Sequence, residues 1–540
     1  MTSRRTFLKQ SSLITTGLLT TGLITESIPA IAGSPSDQLR SDLKQAMQTL
    51  RIPGMLAAVV KDGHLSYVQC EGLADLDRKV PMRQDMIFPV ASLTKTFAAV
   101  VMAQYHQEGK ASLDDYILDY PFLSVGFTPE RLPSPDVRIW HALSHTSEGV
   151  PGTEYIYNGG RYNFVYGVYE QVSGNTTHYE AFAEEMKKRV ITPLEMQHTY
   201  PGYPKDKALD PSRIITTYKL DKATGNFSIP DKNQATQTIL YPSTNLFTSL
   251  EDLAKYTNAL DNNLLISKDT YTRITTPTVT PQGKTHPYGI GWATQLFEDQ
   301  QIHWHYGYGD SFAALIVRVP SQRLTFILFC NAVPASEAFR LGYGNLMNSP
   351  FAVSFLNHFV ARNKLKADGF DLLFPQAMTL HYQEQTFGTH KGEAKTLLRN
   401  LAAKEPQRFK QPDNTLLWLM TSLADQELSE LTEKAIEAYR NSGQFQPDLH
   451  REIAGYYQQI GKEEESRSWY HLLADSTGFE EQGPVRDACT FLGKYYLSVG
   501  QAAQGRKYLW KEVLANRIMN NGTDDAADKI ALMKPGKPSA

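Results

Sequence analysis

The sequence predicts an α/β protein whose mixed N-terminal portion is followed by an all-α region. Three observations carry this reading. Pairs of strand-like runs lie near both ends of the first 330 residues, a largely helical stretch separates them, and a helical pattern recurs in the last third.

The first pair of runs, at 55–60 and 64–70, flanks Asp62-Gly63, a tight-hairpin signal. The second, at 312–319 and 324–330, flanks Pro320-Ser-Gln-Arg323. A sheet assembled from both ends, with the helical stretch inserted between, leaves a cleft between sheet and insertion. The first inserted helix follows Ser92, with Phe97, Val100, Val101 and Tyr105 as an apolar stripe before Gly109.

That helix opens on Ser92-Leu-Thr-Lys95. Serine and lysine three residues apart on a helix share one face. A serine hydroxyl becomes a nucleophile once its proton is taken, and an amine whose pKa is lowered by burial can take it. The helix N-terminus adds N–H donors and positive potential where an acyl oxyanion would form. The same spacing occurs at Ser41-Asp-Leu-Lys44, in a polar amphipathic stretch without supporting motifs.

The chain begins with Ser3-Arg-Arg-Thr-Phe-Leu-Lys9, which resembles a twin-arginine export motif. An apolar stretch from Leu13 to Ile24 and the cleavage pattern Ala30-Ile-Ala32 follow. Residues 1–32 are therefore expected to be an export signal, and the mature protein periplasmic or extracellular. No later segment reads as transmembrane. A formal net charge of −3, without a concentrated basic patch, argues against nucleic-acid binding. Three cysteines (Cys70, Cys330 and Cys489) are too few for a disulfide framework; the first and second fall in predicted strands, where buried thiols are expected.

Further motifs follow Ser92 in a fixed order. They are Leu113-Asp114-Asp115, Val137-Arg-Ile-Trp-His-Ala-Leu-Ser-His-Thr-Ser147, Pro151-Gly152, Tyr157, Tyr162, Glu170-Gln-Val-Ser-Gly174, Pro193-Leu-Glu-Met196, Tyr288-Gly-Ile-Gly-Trp292 and His305-Tyr-Gly307. With Ser92-x-x-Lys95, this order resembles the serine β-lactamase and penicillin-binding-protein family on its class C side, over about residues 37–331. The resemblance implies a β-lactamase-like fold, an antiparallel sheet flanked by helices plus a helical subdomain, over 37–360. It also implies roles. Ser92 matches the acylated nucleophile and Lys95 the amine that assists it. Tyr157 matches the tyrosine that relays protons, which requires nearby cations, Lys95 first, to favour its ionised form. His305 and Gly307 match the third motif, whose strand lines the substrate cleft, so His305 is expected to face substrate and Gly307 to admit it closely; the N–H groups of Ser92 and Tyr308 match the oxyanion hole.

The chain departs from the family at two places. Glu148 intervenes before Gly149, and Tyr157-Asn158-Gly159 replaces Tyr-x-Asn. The family's amide would orient the lysine and hold the acyl-side amide of a substrate; Asn163 is the candidate substitute. His141-x-x-x-His145 and His303-x-His305 have zinc-compatible spacing but lack the adjacent glutamate of a metalloprotease. No metal or organic cofactor is implied.

In the last third, Tyr456-Tyr-Gln-Gln-Ile-Gly461 with Arg467 and Trp469 recurs as Tyr495-Tyr-Leu-Ser-Val-Gly500 with Arg506 and Tyr508. Residues 386–533 are read as a tetratricopeptide-like helical repeat domain, and 534–540 as a disordered tail. The repeats serve either as a cap on the catalytic domain or as a surface for a protein partner, and are expected to be dispensable for the chemistry. The resulting expectation is an exported serine hydrolase acting through a Ser92 acyl-enzyme on a peptide or ester, of D-alanyl or D-amino-acid peptidase type or esterase type. The alternatives are a class C type β-lactamase and a non-catalytic protein that binds cell-wall fragments or a partner.

Overall fold

The computed structural model describes residues 33–519, apart from 123–132 and positions 178, 207, 223 and 232. The expected leader and the 534–540 tail lie outside the described residues. Among the described residues, no helix is long and apolar enough to cross a membrane.

Seven antiparallel strands form the central sheet: β1 (Gly54–Lys61), β2 (His64–Asp75), β3 (Val80–Pro81), β4 (Ala293–Phe297), β5 (Gln300–Tyr308), β6 (Ala313–Val319) and β7 (Leu324–Cys330). Their order is β3-β2-β1-β7-β6-β5-β4, so the two predicted hairpins meet in the middle of the sheet. Asp62 and Gly63 have φ of +52° and +82°. Positive φ at both central residues defines the tight turn that matches strand twist, and explains the Asp-Gly pair. Met55 lies opposite Cys330 in the β1–β7 ladder.

The sheet is apolar on both faces, which is why its central strands read as continuous hydrophobic runs rather than alternating ones. Met55, Ala57 and Val59 of β1 pack with Phe326 and Leu328 of β7 on one face. Leu56, Ala58 and Val60 pack on the other face with Ile327 and Phe329. The second face carries the helical insertion. Its centre is α2 (Thr94–Gln107), which follows the N-terminal helix α1 (Pro35–Thr49). The expected apolar stripe on α2 proves too narrow: Ala98, Ala99, Met102 and Ala103 are buried as well as Phe97, Val100, Val101 and Tyr105. Enclosed by sheet and insertion, the helix meets solvent only near its C-terminal end, at Gln104, His106 and Gln107, and alanines let its neighbours approach closely along the rest.

The first face of the sheet packs on α1 and on the C-terminal helices. One unbroken hydrophobic cluster runs from Leu39 and Met55 through Phe374, Leu417 and Trp469 to Tyr508. The main C-terminal helices are α3 (Phe370–Phe387), α4 (Glu393–Lys404), α5 (Asn414–Leu423), α6 (Ser429–Asn441), α7 (Pro447–Gln459), α8 (Glu463–Ala474), α9 (Gly483–Ser498) and α10 (Ala502–Met519). The sequence repeat corresponds to the hairpins α7–α8 and α9–α10. Gly461 and Gly500 turn both hairpins at φ of +76° and +80°, a conformation glycine adopts without strain. Trp469 and its repeat counterpart Tyr508 are both buried.

Candidate active site

Ser92 lies in a 3₁₀ turn, Ala91–Leu93, that runs straight into α2. Ala91, just before it, has φ of +43°. That left-handed conformation costs a non-glycine residue roughly 1–2 kcal/mol, so the turn into Ser92 is strained. One helical turn on, Lys95 is 1% exposed. Its Nζ lies 2.8 Å from Ser92 Oγ and donates to the Ser243 carbonyl at 3.0 Å. The rings of Tyr157 and Tyr162 lie 5.1 and 5.3 Å from the same nitrogen. Among the described residues no carboxylate pairs with Lys95. Burial therefore acts unopposed and lowers its pKa to about 7. Near neutrality much of this lysine is the free amine.

The lysine's orienting group was not legible in the sequence. Gly159 does lie beside it: a Cβ there would be 3.7 Å from Lys95 Nζ. Asn163, however, does not replace the missing amide at the lysine. Its Oδ1 accepts from Ser243 N–H at 3.0 Å, and the Ser243 carbonyl orients Nζ. The only local signal is the turn-prone run Tyr241-Pro-Ser-Thr-Asn245. Asn158 points away from Lys95. It caps the short helix Gly159–Tyr162 and donates to Glu148 Oε1 at 2.8 Å.

Tyr157 approaches the same centre. Its hydroxyl lies near those of Ser92 and Tyr306 without a well-formed hydrogen bond to either, and burial raises its pKa despite both. The expectation of a cation-favoured phenolate is therefore corrected: with Lys95 deprotonating readily and Tyr157 desolvated, the resting pair is an amine and a neutral phenol. His145, from the Leu-Ser-His-Thr-Ser motif, supports the tyrosine from behind. Its ring centroid is 4.2 Å from that of Tyr157, its carbonyl accepts from Ile156 N–H at 2.9 Å, and its Nδ1 accepts from Asn158 N–H at 3.1 Å. Burial, with Lys95 next, holds its pKa well below the usual histidine range.

Strand β5 passes the site, and two of its expected contacts need correction. His305 is 1% exposed and faces no substrate space. Its Nδ1 donates to the Tyr306 carbonyl at 2.7 Å, so Nε2 accepts from the Tyr288 hydroxyl at 2.7 Å. Gly307 likewise serves packing. A Cβ there would meet the Val90 carbonyl oxygen at 2.3 Å, so the glycine lets β5 lie against the turn that carries Ser92. Tyr306 and Tyr308 point the other way. The Tyr306 ring centroid is 5.2 Å from that of Tyr157, and Tyr308 is 49% exposed. Gly309 N–H donates to Phe312 across the hairpin at 3.0 Å. Antiparallel alternation therefore turns the Tyr308 N–H to the opposite edge of β5, beyond the last β4 pairing at Trp304.

The histidine pairs are spoken for. Beside His305, His303 bonds the Tyr271 hydroxyl at 2.8 Å, and His141 Nδ1 accepts from Arg138 N–H at 2.9 Å. Among the described residues, no three His, Cys, Asp or Glu side chains form a metal-binding group.

The inserted Glu148 has a role outside the chemistry. It is 2% exposed and accepts from Gln482 Nε2 at 2.8 Å as well as from Asn158. Burial raises its pKa to about 7. Arg161 adds a paired contact to Glu481, and Gly149 N–H donates to the Gly478 carbonyl at 3.1 Å. The segment leading to Tyr157 is thus fastened to the α8–α9 loop.

The beta-lactamase family pattern matches residues 39–346. Protein flp of Staphylococcus aureus (strain MW2) is 21% identical over 328 residues, 54% of this chain and 62% of that protein. Esterase EstB of Burkholderia gladioli is 32% identical over 122 residues, 22% of this chain and 29% of the esterase. Penicillin-binding protein 4* of Bacillus subtilis (strain 168) is 24% identical over 321 residues, 51% of this chain and 67% of that protein. The chain therefore spans less than two thirds of the first two relatives.

Proposed function

Because this chain belongs to the beta-lactamase family, whose chemistry is that of serine hydrolases, we propose that it cleaves an ester or peptide through an acyl-enzyme on Ser92. One observation carries the reading: a buried lysine without a carboxylate partner among the described residues, its Nζ 2.8 Å from Ser92 Oγ. As a free amine, Lys95 donates to the Ser243 carbonyl and offers its lone pair to the Ser92 proton. Ser92 Oγ then attacks the substrate carbonyl. The N–H groups of Ser92 and Tyr308 are the donors for the developing oxyanion. Tyr157, a neutral phenol between Lys95 and the cleft, gives its proton to the leaving group and is reprotonated from Lys95. Water follows the reverse route to release the acyl group. The low-affinity target in this reading is the β-lactam, because Gly159 offers no amide to the acyl side chain. Export through residues 1–32 belongs to the same proposal and rests on Arg4-Arg5, the apolar stretch and Ala30-Ile-Ala32.

Intact-mass measurement after exposure to a fluorophosphonate, and separately to a penicillin, tests the reading. One fluorophosphonate adduct is expected on the wild type and none on Ser92→Ala, with slower labelling by the penicillin. Equal labelling of both proteins, or none of the wild type, overturns it and leaves the non-catalytic binding alternative.

A further inference from the structure

Beside Tyr157 lies a cavity of about 560 Å³, within the range that takes small organic ligands. One wall is catalytic: Tyr157, Tyr306 and Tyr308. The opposite wall comes from the C-terminal helices, with Tyr382 on α3, Trp418 on α5 and Glu452 on α7. The helical region, expected to be dispensable for the chemistry, thus completes the space next to the proton-relaying tyrosine.

The charges in this cavity are unevenly satisfied. Lys222 pairs with Glu337 at 3.0 Å, and Asp448 with Arg451 at 3.0 Å. Burial raises the pKa of Glu452, and the positive charge of Arg340 nearby counters that rise. Arg340 is different. Its guanidinium lies over the Trp418 ring at 4.3 Å, and among the described residues it forms no ion pair. Stacking occupies the face of a guanidinium and leaves its N–H edge available for a planar, bidentate acceptor. In the same cavity the Tyr343 hydroxyl is buried without a hydrogen-bond partner among the described residues. A desolvated hydroxyl without a partner is costly to leave unpaired, and an incoming acceptor would relieve that cost.

We propose that this cavity is a carboxylate-binding subsite: Arg340, held flat on Trp418, and the Tyr343 hydroxyl bind a carboxylate carried by the substrate at a distance from the scissile bond. A carboxylate is the acceptor that matches a guanidinium edge and can also take a phenolic proton. The proposal rests on the Ser92 hydrolase reading for its catalytic meaning, but the binding itself does not depend on turnover.

Two measurements on the full-length protein separate the ideas. In the first, glutarate and its neutral diamide are titrated calorimetrically into the Ser92→Ala protein. Glutarate is expected to bind, the diamide at least tenfold more weakly, and adding Arg340→Met is expected to weaken glutarate at least tenfold. Tyr343→Phe, which keeps the ring, is expected to weaken it severalfold. In the second, kcat/KM is compared for 4-nitrophenyl esters of glutaric acid and of its monomethyl ester, and for butyrate esters of 4-hydroxybenzoate and its amide. The carboxylate-to-neutral ratio in at least one pair is expected to exceed tenfold, and to fall at least tenfold in Arg340→Met. Equal glutarate affinity with and without Arg340, or a ratio that survives its loss, overturns the subsite. Glutarate binding without ester turnover or Ser92 labelling overturns the hydrolase reading and leaves the subsite standing.

Discussion

At the scale of single residues, the site centres on a lysine that is buried and, among the described residues, lacks a counter-ion. Since Lys95 titrates near 7 in the fold and near 10.4 in an unfolded chain, two consequences have defined signs. Fluorophosphonate labelling should rise with pH, with a midpoint near 7, and Lys95→Met should slow it by about 10²-fold or more; a flat profile would remove the lysine from the proton path. Between about pH 7 and 10 the unfolded chain holds more protons than the folded one, so Lys95 makes stability climb with pH. Urea midpoints across that window should climb less steeply in Lys95→Met. Gly159→Asn tests the departure from the family. A Cβ there is in ordinary contact with Lys95 Nζ, so the variant should fold and acylate with a penicillin at least tenfold faster than the wild type. An unchanged rate would mean that Ser243 already does all that the family's amide does. That Ser92, Lys95 and Tyr157 meet at one centre was legible because their side chains belong to ordered motifs. Ser243 was not, because it acts through its carbonyl, and every residue type carries one.

At the scale of elements, strand β5 and the Ser92 turn are held together by a missing side chain. Gly307→Ala would drive a Cβ to 2.3 Å from the Val90 carbonyl and 3.1 Å from Ala314 Cβ. Both neighbours are fixed by sheet and turn, so relief requires β5 to move away from Ser92. We expect a loss of about 1–3 kcal/mol, as for other overpacked interiors, with labelling of Ser92 slowed even where the variant remains folded. Normal labelling at reduced stability would separate this packing from the site. The hairpins were legible because local turn chemistry encodes them: Asp62-Gly63 can take two positive φ angles in succession. The environment of α2 was only half legible. Its large residues mark one face, but the burial of its alanines depends on an insertion contributed by distant chain. The orientation of β5 was misjudged for the same reason. A His-x-Gly motif names neither face, and it is Tyr306 and Tyr308 that meet the cleft.

At the scale of the whole molecule, the catalytic and helical portions share one hydrophobic cluster, and Glu148 fastens the Tyr157 segment to Gln482. A chain ending after Asn363 should therefore expose apolar surface and aggregate; a soluble truncation labelled at the wild-type rate would show that the helices are only a cover. Glu148 adds a pH term of opposite sign to that of Lys95. Its carboxyl titrates at about 7 when folded, against a usual 4.5, so the folded chain holds the extra proton and stability falls as pH rises through that interval. Thermal midpoints of Glu148→Gln should lose that decline. The repeat was legible through its paired tyrosines and turn glycines, whereas its docking was not, because the contacts join residues more than 300 positions apart. The sheet order sets a further condition, one of time. Strand β1, apolar on both faces, has β7 as its inner neighbour, and at about 10 residues per second that neighbour is synthesised roughly half a minute later. Until then β1 presents an unpaired edge on which another nascent chain can add. Soluble yield is therefore expected to depend on events during synthesis as well as on the stability of the finished fold. Co-expression of a chaperone that shields nascent chains should raise yield while leaving the purified protein's melting temperature where it was.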